Sequence, residues 1–283
     1  MGQWLVRIGE SMLKSRPVRK HFTRVLRTTL FAQCRLRGAE VKIRVEGGLM
    51  FVSGDKDAEI VDALMHTFGV NAVDPYTEIL ATPEDVAIAA LDTNPDPTGT
   101  FAVQCKRHGQ KGEWTSQTFA GSVGAAVLEK VDLKVNLSKP EWAIRVALFP
   151  DKALLLGNRF MGPGGLPLGV QGLVLAHLDD DKDLLCAWLM MHRGCRIKTV
   201  EGDGAKLKDW DPALASEEFA SELRTGPGGQ KNPEPWGVVG FHLPGAPTMV
   251  PLDDSVKTPL VHLEPLVGWS EADISELRER VFA

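Results

Sequence analysis

The stretch from Val174 to Met191 most constrains the fold of this chain. It begins as an apolar run, turns through Asp179–Asp183 and continues as an apolar segment with helical spacing. A buried strand, a tight turn and a helix form the unit from which parallel α/β sheets are built. The sequence therefore predicts an α/β fold, with a ligand site expected at the turn, where the strand's carboxyl end meets the helix.

The composition of that turn argues against a phosphate ligand. Phosphate-binding turns use glycines, which let backbone N–H groups approach the anion, together with the N-terminus of the following helix. The turn here, Asp179-Asp180-Asp181-Lys182-Asp183-Leu184, has four carboxylates and no glycine. A divalent cation is an alternative ligand, but calcium loops need regularly spaced oxygen ligands and usually a glycine. We therefore favour a solvated acidic turn.

The net charge of −5 hides an asymmetry along the chain. Residues 1–44 carry 11 Lys and Arg against 2 Asp and Glu, a net charge of +9, whereas residues 45–283 carry a net charge of −14. A basic end on an acidic protein favours contact between that one region and a polyanion.

Much of this basic region is predicted to be one helix, with Ser15 as its cap and Pro17 in its first turn. Its predicted buried stripe consists of Val18, Phe22, Val25, Leu26 and Leu30. A second stripe, Arg16, Lys20, Arg24 and Arg27, lacks acidic partners at i,i+4 spacing. This favours a phosphate-contacting face; the alternative is an ordinary solvated surface.

A second basic region follows a predicted strand over residues 100–107. The strand ends in Lys106 and Arg107, the next loop contains Lys111 and Trp114, and Thr115–Ser116 can cap the following helix. Basic side chains, an exposed aromatic ring and a helix N-terminus together predict an anion or nucleic-acid contact. For Trp114 alone, packing in the core is the alternative.

The remaining elements are assigned from periodicity and turn residues. The predicted strands cover 5–8, a hairpin of 41–45 with 49–52, 70–79, a pair of 142–149 with 152–156, 236–243 and 260–263. The predicted helices cover 58–68, 83–91, 117–131 and a last helix capped by Ser270, while residues 161–172 form a Gly- and Pro-rich linker.

Several function classes receive no support. No segment approaches the roughly 18 apolar residues of a membrane span, and the N-terminus does not look like a secretion signal. We therefore expect a cytoplasmic protein without membrane contact. Cys34, Cys105, Cys186 and Cys195 show no paired spacing and are expected to be free, buried and inert. The isolated histidines His177, His192, His242 and His262 are expected to be structural. No catalytic or metal-ligating set is predicted.

Motifs spread along the chain resemble the tRNA 4-thiouridine synthase (tRNA sulfurtransferase) family. The resembling segments are Leu5–Glu10, Leu13–Arg16, Glu46–Gly48, His66–Val70, Phe101–Val103 with Lys106–Arg107, Thr115–Gln117, Val123–Gly124, Val135–Leu137, Gly162–Gly172, Leu189–Cys195 and Leu263–Trp269. The match is good over residues 1–197 and patchy beyond them. The resemblance implies a ferredoxin-like domain over 1–56, a THUMP domain over 57–161, a linker over 162–172 and a reduced PP-loop (Rossmann-like) domain of ATPase type over 173–283.

The sequence departs from the family pattern at the loop that carries the family's chemistry. The family's PP-loop reads Ser-Gly-Gly-x-Asp-Ser and cradles the pyrophosphate of ATP, whereas the aligned residues here run from Asp179 to Leu184 and only Asp183 is retained. The resemblance implies tRNA binding, and ATP with magnesium would be needed only if the family activity is retained.

We therefore predict a tRNA-binding protein with a vestigial nucleotide loop and without adenylation activity. The predicted RNA-binding residues are Lys14, Arg16, Arg19, Lys20, Arg24, Arg27, Lys106, Arg107, Lys111, Trp114, Thr115 and Ser116. One alternative is a divergent sulfurtransferase that makes 4-thiouridine. Another is a scaffold that presents tRNA to an active homologue, and a homodimer is a further possible assembly.

Overall fold

The computed structural model describes residues 1–9, 15–46, 48–110, 112–223, 233–240 and 260–282. Helices and strands alternate along the chain and build two sheets, so the predicted α/β class is confirmed. Within the described ranges, no helix combines the length and the apolar character needed to cross a bilayer.

The N-terminal elements form one half of the larger sheet. They are β1 (Gly2–Ile8), α1 (Arg16–Leu36), β2 (Val41–Glu46), β3 (Leu49–Gly54), α2 (Asp57–Met65) and β4 (Val70–Ile79). Strand β1 lies between β3 and β4, antiparallel to both, and β2 pairs with β3 as the predicted hairpin. The two helices close a core that includes Leu26, Leu30, Val52, Ile60 and Leu64.

The prediction that Val18 is buried is wrong, because its side chain is 38% exposed. In the first half of α1, Leu26 packs in the core on the sheet, whereas Phe22 and Val25 belong to a separate cluster. That cluster contains linker residues Leu166 and Val170, and its first member on α1 is Phe22. Val18 lies one turn before Phe22 and belongs to neither cluster.

The middle elements extend the same sheet. They are α3 (Pro83–Thr93), β5 (Thr100–Arg107), α4 (Ser116–Leu128), β6 (Lys134–Val135), β7 (Trp142–Leu148), β8 (Ala153–Leu156) and β9 (Phe160–Met161). The strand order is β2-β3-β1-β4-β8-β7-β5-β6, so β4 is shared. Its first half pairs with β1 and its second half with β8. A separate core, with Phe101, Phe119, Val123 and Ile144, lies under α3 and α4.

The C-terminal elements form a second, parallel sheet. They are β10 (Leu173–Leu178), α5 (Asp181–His192), β11 (Arg196–Gly202), α6 (Glu217–Leu223), β12 (Pro235–Val239), β13 (Val261–Leu263) and α7 (Glu271–Phe282). The order β11-β10-β12-β13 and the parallel pairing give a Rossmann-like arrangement, and the predicted central strand, turn and helix are confirmed. Residues 241–243 of the predicted strand over 236–243, and His242 with them, lie outside the described residues.

The N-terminal and C-terminal parts interlock. Phe68, which follows α2, is fully buried in the core of the parallel sheet. Its ring stacks on Trp210 with 5.3 Å between centroids and meets Trp188 edge-on at 5.3 Å. Gln33 of α1 is also buried, and its Nε2 donates to the carbonyl oxygens of Asp209 and Trp210, each at 3.1 Å. The two parts therefore share packing and hydrogen bonds.

Candidate nucleic-acid interface

The exposed face of α1 carries the predicted basic stripe. Arg16, Lys20, Arg24 and Arg27 are exposed and Arg19 is half-buried, whereas Phe22, Val25, Leu26 and Leu30 on the opposite face are buried. The 3.6-residue period of the helix produces this division, since charged and apolar residues recur at separate spacings. Lys14 lies outside the described residues.

The bases of α1 divide into paired and unpaired groups. Arg35 donates to Glu222 (2.8 Å) and Glu218 (3.0 Å), and Arg37 is paired with Asp62. Among the described residues, no carboxylate forms an ion pair with Arg16, Arg19, Lys20, Arg24 or Arg27. The first half of the helix therefore presents cations whose charge is not neutralised within the described part of the chain.

A groove of about 760 Å³ runs along this basic half. Its lining contains all five of those bases together with Pro17, His21 and Thr23, and Val45 and Gly48 at the tip of the β2–β3 hairpin. Burial, and then the charge of Arg24, lower the pKa of His21, so its imidazole is neutral at pH 7. Its Nδ1 lies 3.1 Å from Arg24 Nη2 and its Nε2 is buried, so the ring helps to position Arg24 in a groove that offers a row of cations.

The second basic region is more strongly tied to the protein. Lys106 is exposed, but the half-buried Arg107 donates from Nη1 to the Gln110 carbonyl at 3.0 Å. Its backbone N–H donates to Ser116 Oγ at 3.0 Å, and Thr115 caps α4 by a reciprocal hydrogen bond with Thr118. Both predicted hydroxyl groups therefore hold the loop and the start of α4 in place. Lys111 lies outside the described residues.

The Trp114 side chain packs against the core and is also partly accessible, as the two interpretations of it predicted separately. Its ring meets Phe119 edge-on with 5.6 Å between centroids and packs against the core under α4. The side chain is nevertheless half-buried, and with Arg107 it lines a small cavity of about 110 Å³. Packing fixes the ring while part of its surface remains accessible.

A chain of contacts joins the β2–β3 hairpin to the loop after β5. The hairpin that borders the groove carries Arg44, whose guanidinium lies 5.0 Å from the centroid of the Phe51 ring. Phe51 contacts Phe149 at 6.0 Å between ring centroids, and Phe149 stacks on His108 at 5.2 Å. Phe51 and Phe149 are buried, so these contacts connect the hairpin to the loop after β5 through the interior of the protein.

Sequence reasoning missed the exposed bases of this hairpin, Lys42 and Arg44. The signal was present, because Val41 and Ile43 alternate with them, and alternation in a strand places alternate side chains on opposite faces. Arg44 lies 3.8 Å from Glu46, whereas Lys42 forms no ion pair with a described carboxylate.

Hydrogen bonds between residues of the acidic turn stabilise its conformation. Asp180 caps α5, with its Oδ1 accepting from the Asp183 backbone N–H at 2.9 Å, and Asp183 Oδ2 accepts from the Asp179 N–H at 3.1 Å. The interpretation of the turn as solvated is wrong for Asp183, which is only 1% exposed, because its carboxylate is used in this bond. Two carboxylates therefore occupy backbone N–H groups at the start of the helix.

Ion pairs with neighbouring residues also stabilise the turn. Asp181 is paired with Arg278 and Lys182 with Glu271 (3.2 Å), and both partners lie on α7. His177, which was predicted to be structural, pairs with neighbouring carboxylates, since its Nε2 lies 2.8 Å from Glu201 and 3.4 Å from Asp179. Burial alone would lower the pKa of His177, but the hydrogen bond and charges of these carboxylates raise it.

The ends of the adjacent strands also approach the turn closely. Gly202 and Gly240 have φ near +87°, a conformation that favours glycine. A Cβ at Gly202 would lie 2.0 Å from the Leu178 carbonyl oxygen, and one at Gly240 would lie 1.9 Å from that of His177. The backbone on both sides of β10 is thus in contact with the strand end that precedes the turn.

The thiols are suited to packing rather than chemistry. All four cysteines are free, and Cys34, Cys186 and Cys195 are buried, as predicted, while Cys105 is half-buried. Burial raises the pKa of Cys105 to about 11 and that of each of the other three to about 12. Thiolates, the reactive form, are therefore scarce at neutral pH. The described residues include no cluster of His, Cys, Asp and Glu that could hold a metal ion.

Comparison with known families agrees with this architecture. A sequence model of the ThiI ferredoxin-like domain matches residues 3–73, and one of the THUMP domain matches residues 85–156. A probable tRNA sulfurtransferase of Methanocaldococcus jannaschii is 30% identical over 203 residues, covering 68% of this chain and 53% of the relative. The chain is a THUMP-domain protein related to the tRNA sulfurtransferases. A probable tRNA sulfurtransferase of Methanobrevibacter smithii is 31% identical over 210 residues, which cover 71% of this chain and 54% of the relative.

Two solved structures share the fold of this THUMP-domain protein. PH1313 from Pyrococcus horikoshii Ot3 aligns with a TM-score of 0.73 and 22% identity over 100% of both chains. A 4-thiouridine synthetase solved with RNA and bound ATP aligns with a TM-score of 0.59 and 23% identity, over 78% of this chain and 59% of that one. The chain spans about half the length of the curated relatives it matches.

Proposed function

We propose that this THUMP-domain protein binds tRNA across the basic surface and does not activate it with ATP. The observation that carries the proposal is the basic half of α1, whose five bases line a groove and form no ion pair with a described carboxylate. Rows of unneutralised cations bind phosphates by releasing counterions. The names of the relatives and the RNA in one related structure support tRNA as the polyanion.

Recognition on this surface is proposed to depend on the shape and charge of the RNA. Arg and Lys side chains contact phosphates, which position a nucleic acid without carrying sequence information. Double-stranded RNA is read largely in this way, because its deep major groove is closed to side chains. We therefore expect different tRNAs to bind with similar affinity.

The acidic turn does not suit the phosphates of ATP. A phosphate cradle needs free backbone N–H groups and a positive field, whereas two carboxylates here accept from the N–H groups of Asp179 and Asp183. The same carboxylates would repel a nucleotide. We infer that neither ATP nor magnesium is used at this turn and that adenylation has been lost.

Two alternatives remain to be distinguished by experiment. A divergent sulfurtransferase would use ATP through other residues and would make 4-thiouridine. A scaffold would bind tRNA and present it to an active homologue, or act as a homodimer. The first alternative requires ATP consumption by the purified chain, and the second requires modification that appears only when the homologue is added.

We expect no ATP binding in calorimetry at millimolar ATP with magnesium, because the turn combines four carboxylates with occupied N–H groups. A relative with the complete Ser-Gly-Gly-x-Asp-Ser loop serves as the positive control under the same conditions. A micromolar dissociation constant for this chain would refute the loss of the nucleotide site and favour the divergent enzyme.

Replacing Trp114 with alanine is expected to weaken tRNA binding without changing its salt dependence. Stacking of a base or sugar on an aromatic ring is worth about 1–3 kcal/mol and involves no counterion release. The comparison variant is Trp114→Phe, which keeps an aromatic ring against Phe119. Filter binding at several salt concentrations measures both quantities, and a changed salt slope in a folded Trp114→Ala protein would contradict this role.

A further inference from the structure

A buried carboxylate lies where the two halves of the larger sheet meet. Asp74 is 0% exposed and receives hydrogen bonds from three arginines. Arg7 Nε donates to it at 2.9 Å, Arg159 donates from Nε and Nη2 at 2.8 and 2.9 Å, and Arg145 donates from Nη2. One negative charge thus holds three positive charges together.

The arginines come from both sides of the junction. In the shared strand β4, Asp74 lies opposite Leu5 of β1, and two residues later Tyr76 lies opposite Leu156 of β8. Arg7 belongs to β1, in the N-terminal half, whereas Arg145 belongs to β7 and Arg159 follows β8. The carboxylate therefore ties the two halves together at the point where β4 changes its pairing partner.

The charge of Asp74 is essential to this arrangement. Burial by itself would raise the pKa of Asp74, but the hydrogen bonds from Arg159, Arg145 and Arg7 outweigh it and lower the pKa to about 2. An amide at this position would leave three guanidinium groups without a counter-charge. A cavity of about 920 Å³ lies beside the junction, lined in part by Pro75, Tyr76 and Arg145, so close packing does not fill the whole junction.

The two basic regions lie on different sides of the same junction. The basic half of α1 belongs to the half that contains β1, and Lys106 lies near the end of β5 in the other half. A single RNA that contacts both regions gains affinity only when their spacing and orientation match its backbone, since the second contact is then intramolecular.

We propose that Asp74 is a positioning residue for RNA, which fixes the orientation of the α1 surface relative to the Lys106 surface so that one RNA can bind both. This inference rests on the proposed tRNA binding. Asp74 itself is buried and contacts no RNA, so its effect appears only with an RNA long enough to reach both surfaces.

The test compares Asp74→Asn with the unmodified protein on two RNAs, total tRNA and a duplex of only a few base pairs that fits one surface. Affinity for tRNA is expected to fall about tenfold or more, with a smaller salt slope, because the contacts are no longer made together. Affinity for the short duplex is expected to stay unchanged. Asp211→Asn, which breaks the buried Arg196–Asp211 pair in the other sheet, is the control and should leave both affinities unchanged.

Unchanged tRNA affinity and salt slope in folded Asp74→Asn would overturn the inference, as would an equal loss for both RNAs. If Asp74→Asn does not fold, Arg159→Gln decides by the same criteria, since the Arg159 side chain is 40% exposed and its removal leaves two partners on Asp74. Failure of the proposed function looks different, because the unmodified protein would then not bind tRNA at all.

Discussion

Replacing Arg16, Lys20, Arg24, Lys106 and Arg107 together with alanine is expected to lower the affinity for tRNA by about 100-fold or more at 0.15 M salt. Each phosphate contact that is lost removes the release of about one counterion, so the slope of log K against log salt should flatten by roughly three to five. Arg107 is expected to contribute least, because its guanidinium also donates to Gln110. The loss should be similar for different tRNAs.

The matched control replaces bases that already have partners. Arg35 lies on the same helix but is paired with Glu218 and Glu222, and Arg278 is paired with Asp181. Replacing these two with alanine should leave the affinity and the salt slope nearly unchanged. The fold of the five-site variant should survive, since Phe22 and Leu26 face the other side of α1. Unchanged binding by a folded five-site variant would identify the stripe as an ordinary solvated surface.

Replacing Phe68 with alanine is expected to lower the free energy of unfolding by about 3–5 kcal/mol, as for other buried aromatic side chains. The ring is fully buried between Trp188 and Trp210 and also meets His192 edge-on at 5.8 Å. Because Phe68 belongs to the N-terminal part and its neighbours to the C-terminal part, its loss should also reduce the cooperativity between them. Urea unfolding followed by tryptophan fluorescence measures both effects.

Phe282→Ala is the comparison for this change, since that side chain is 39% exposed near the C-terminus. We expect it to cost about 1 kcal/mol or less. A similarly small effect of Phe68→Ala would mean that the packing between the two parts contributes little to stability.

The local elements could be predicted from the sequence because their signals are local. The hairpin of β2 with β3 follows from alternation around Gly47–Gly48, and β10 with α5 follows from an apolar run, a polar turn and a change of period. Ser270 was correctly predicted as a cap, since its Oγ accepts from the Asp273 N–H at 3.2 Å. Each of these features depends on residues within one or two turns of each other.

Apart from the hairpin bases Lys42 and Arg44, the features that were missed depend on residues far apart in the chain. The sequence near Arg35 does not indicate its partners Glu218 and Glu222, which lie more than 180 positions away. Nor does the region around Asp74 indicate that Arg145 and Arg159 converge on it. Helical periodicity placed the bases of α1 on one face. Only the tertiary structure separates the bases that pair with a described carboxylate from those that do not.

The acidic turn also has features that could be predicted from the sequence and features that could not. That its carboxylates are unsuited to phosphate binding is a prediction made from residue type alone. The spacing of Asp180 and Asp183 also fits a cap, because a side chain at the N-cap accepts from the N–H three residues later. The burial of Asp183 and the pairing of Asp181 and Lys182 with α7 could not be predicted, since α7 lies about 90 residues further along the chain.

The central claim is that the chain binds tRNA but does not activate it. The most direct measurement runs a titration with total tRNA at several salt concentrations beside an ATP–pyrophosphate exchange assay on the same preparation. We predict tRNA binding with a steep salt dependence and no exchange above background, with or without tRNA. Pyrophosphate exchange by the purified chain, or the absence of tRNA binding at low salt, would contradict the claim.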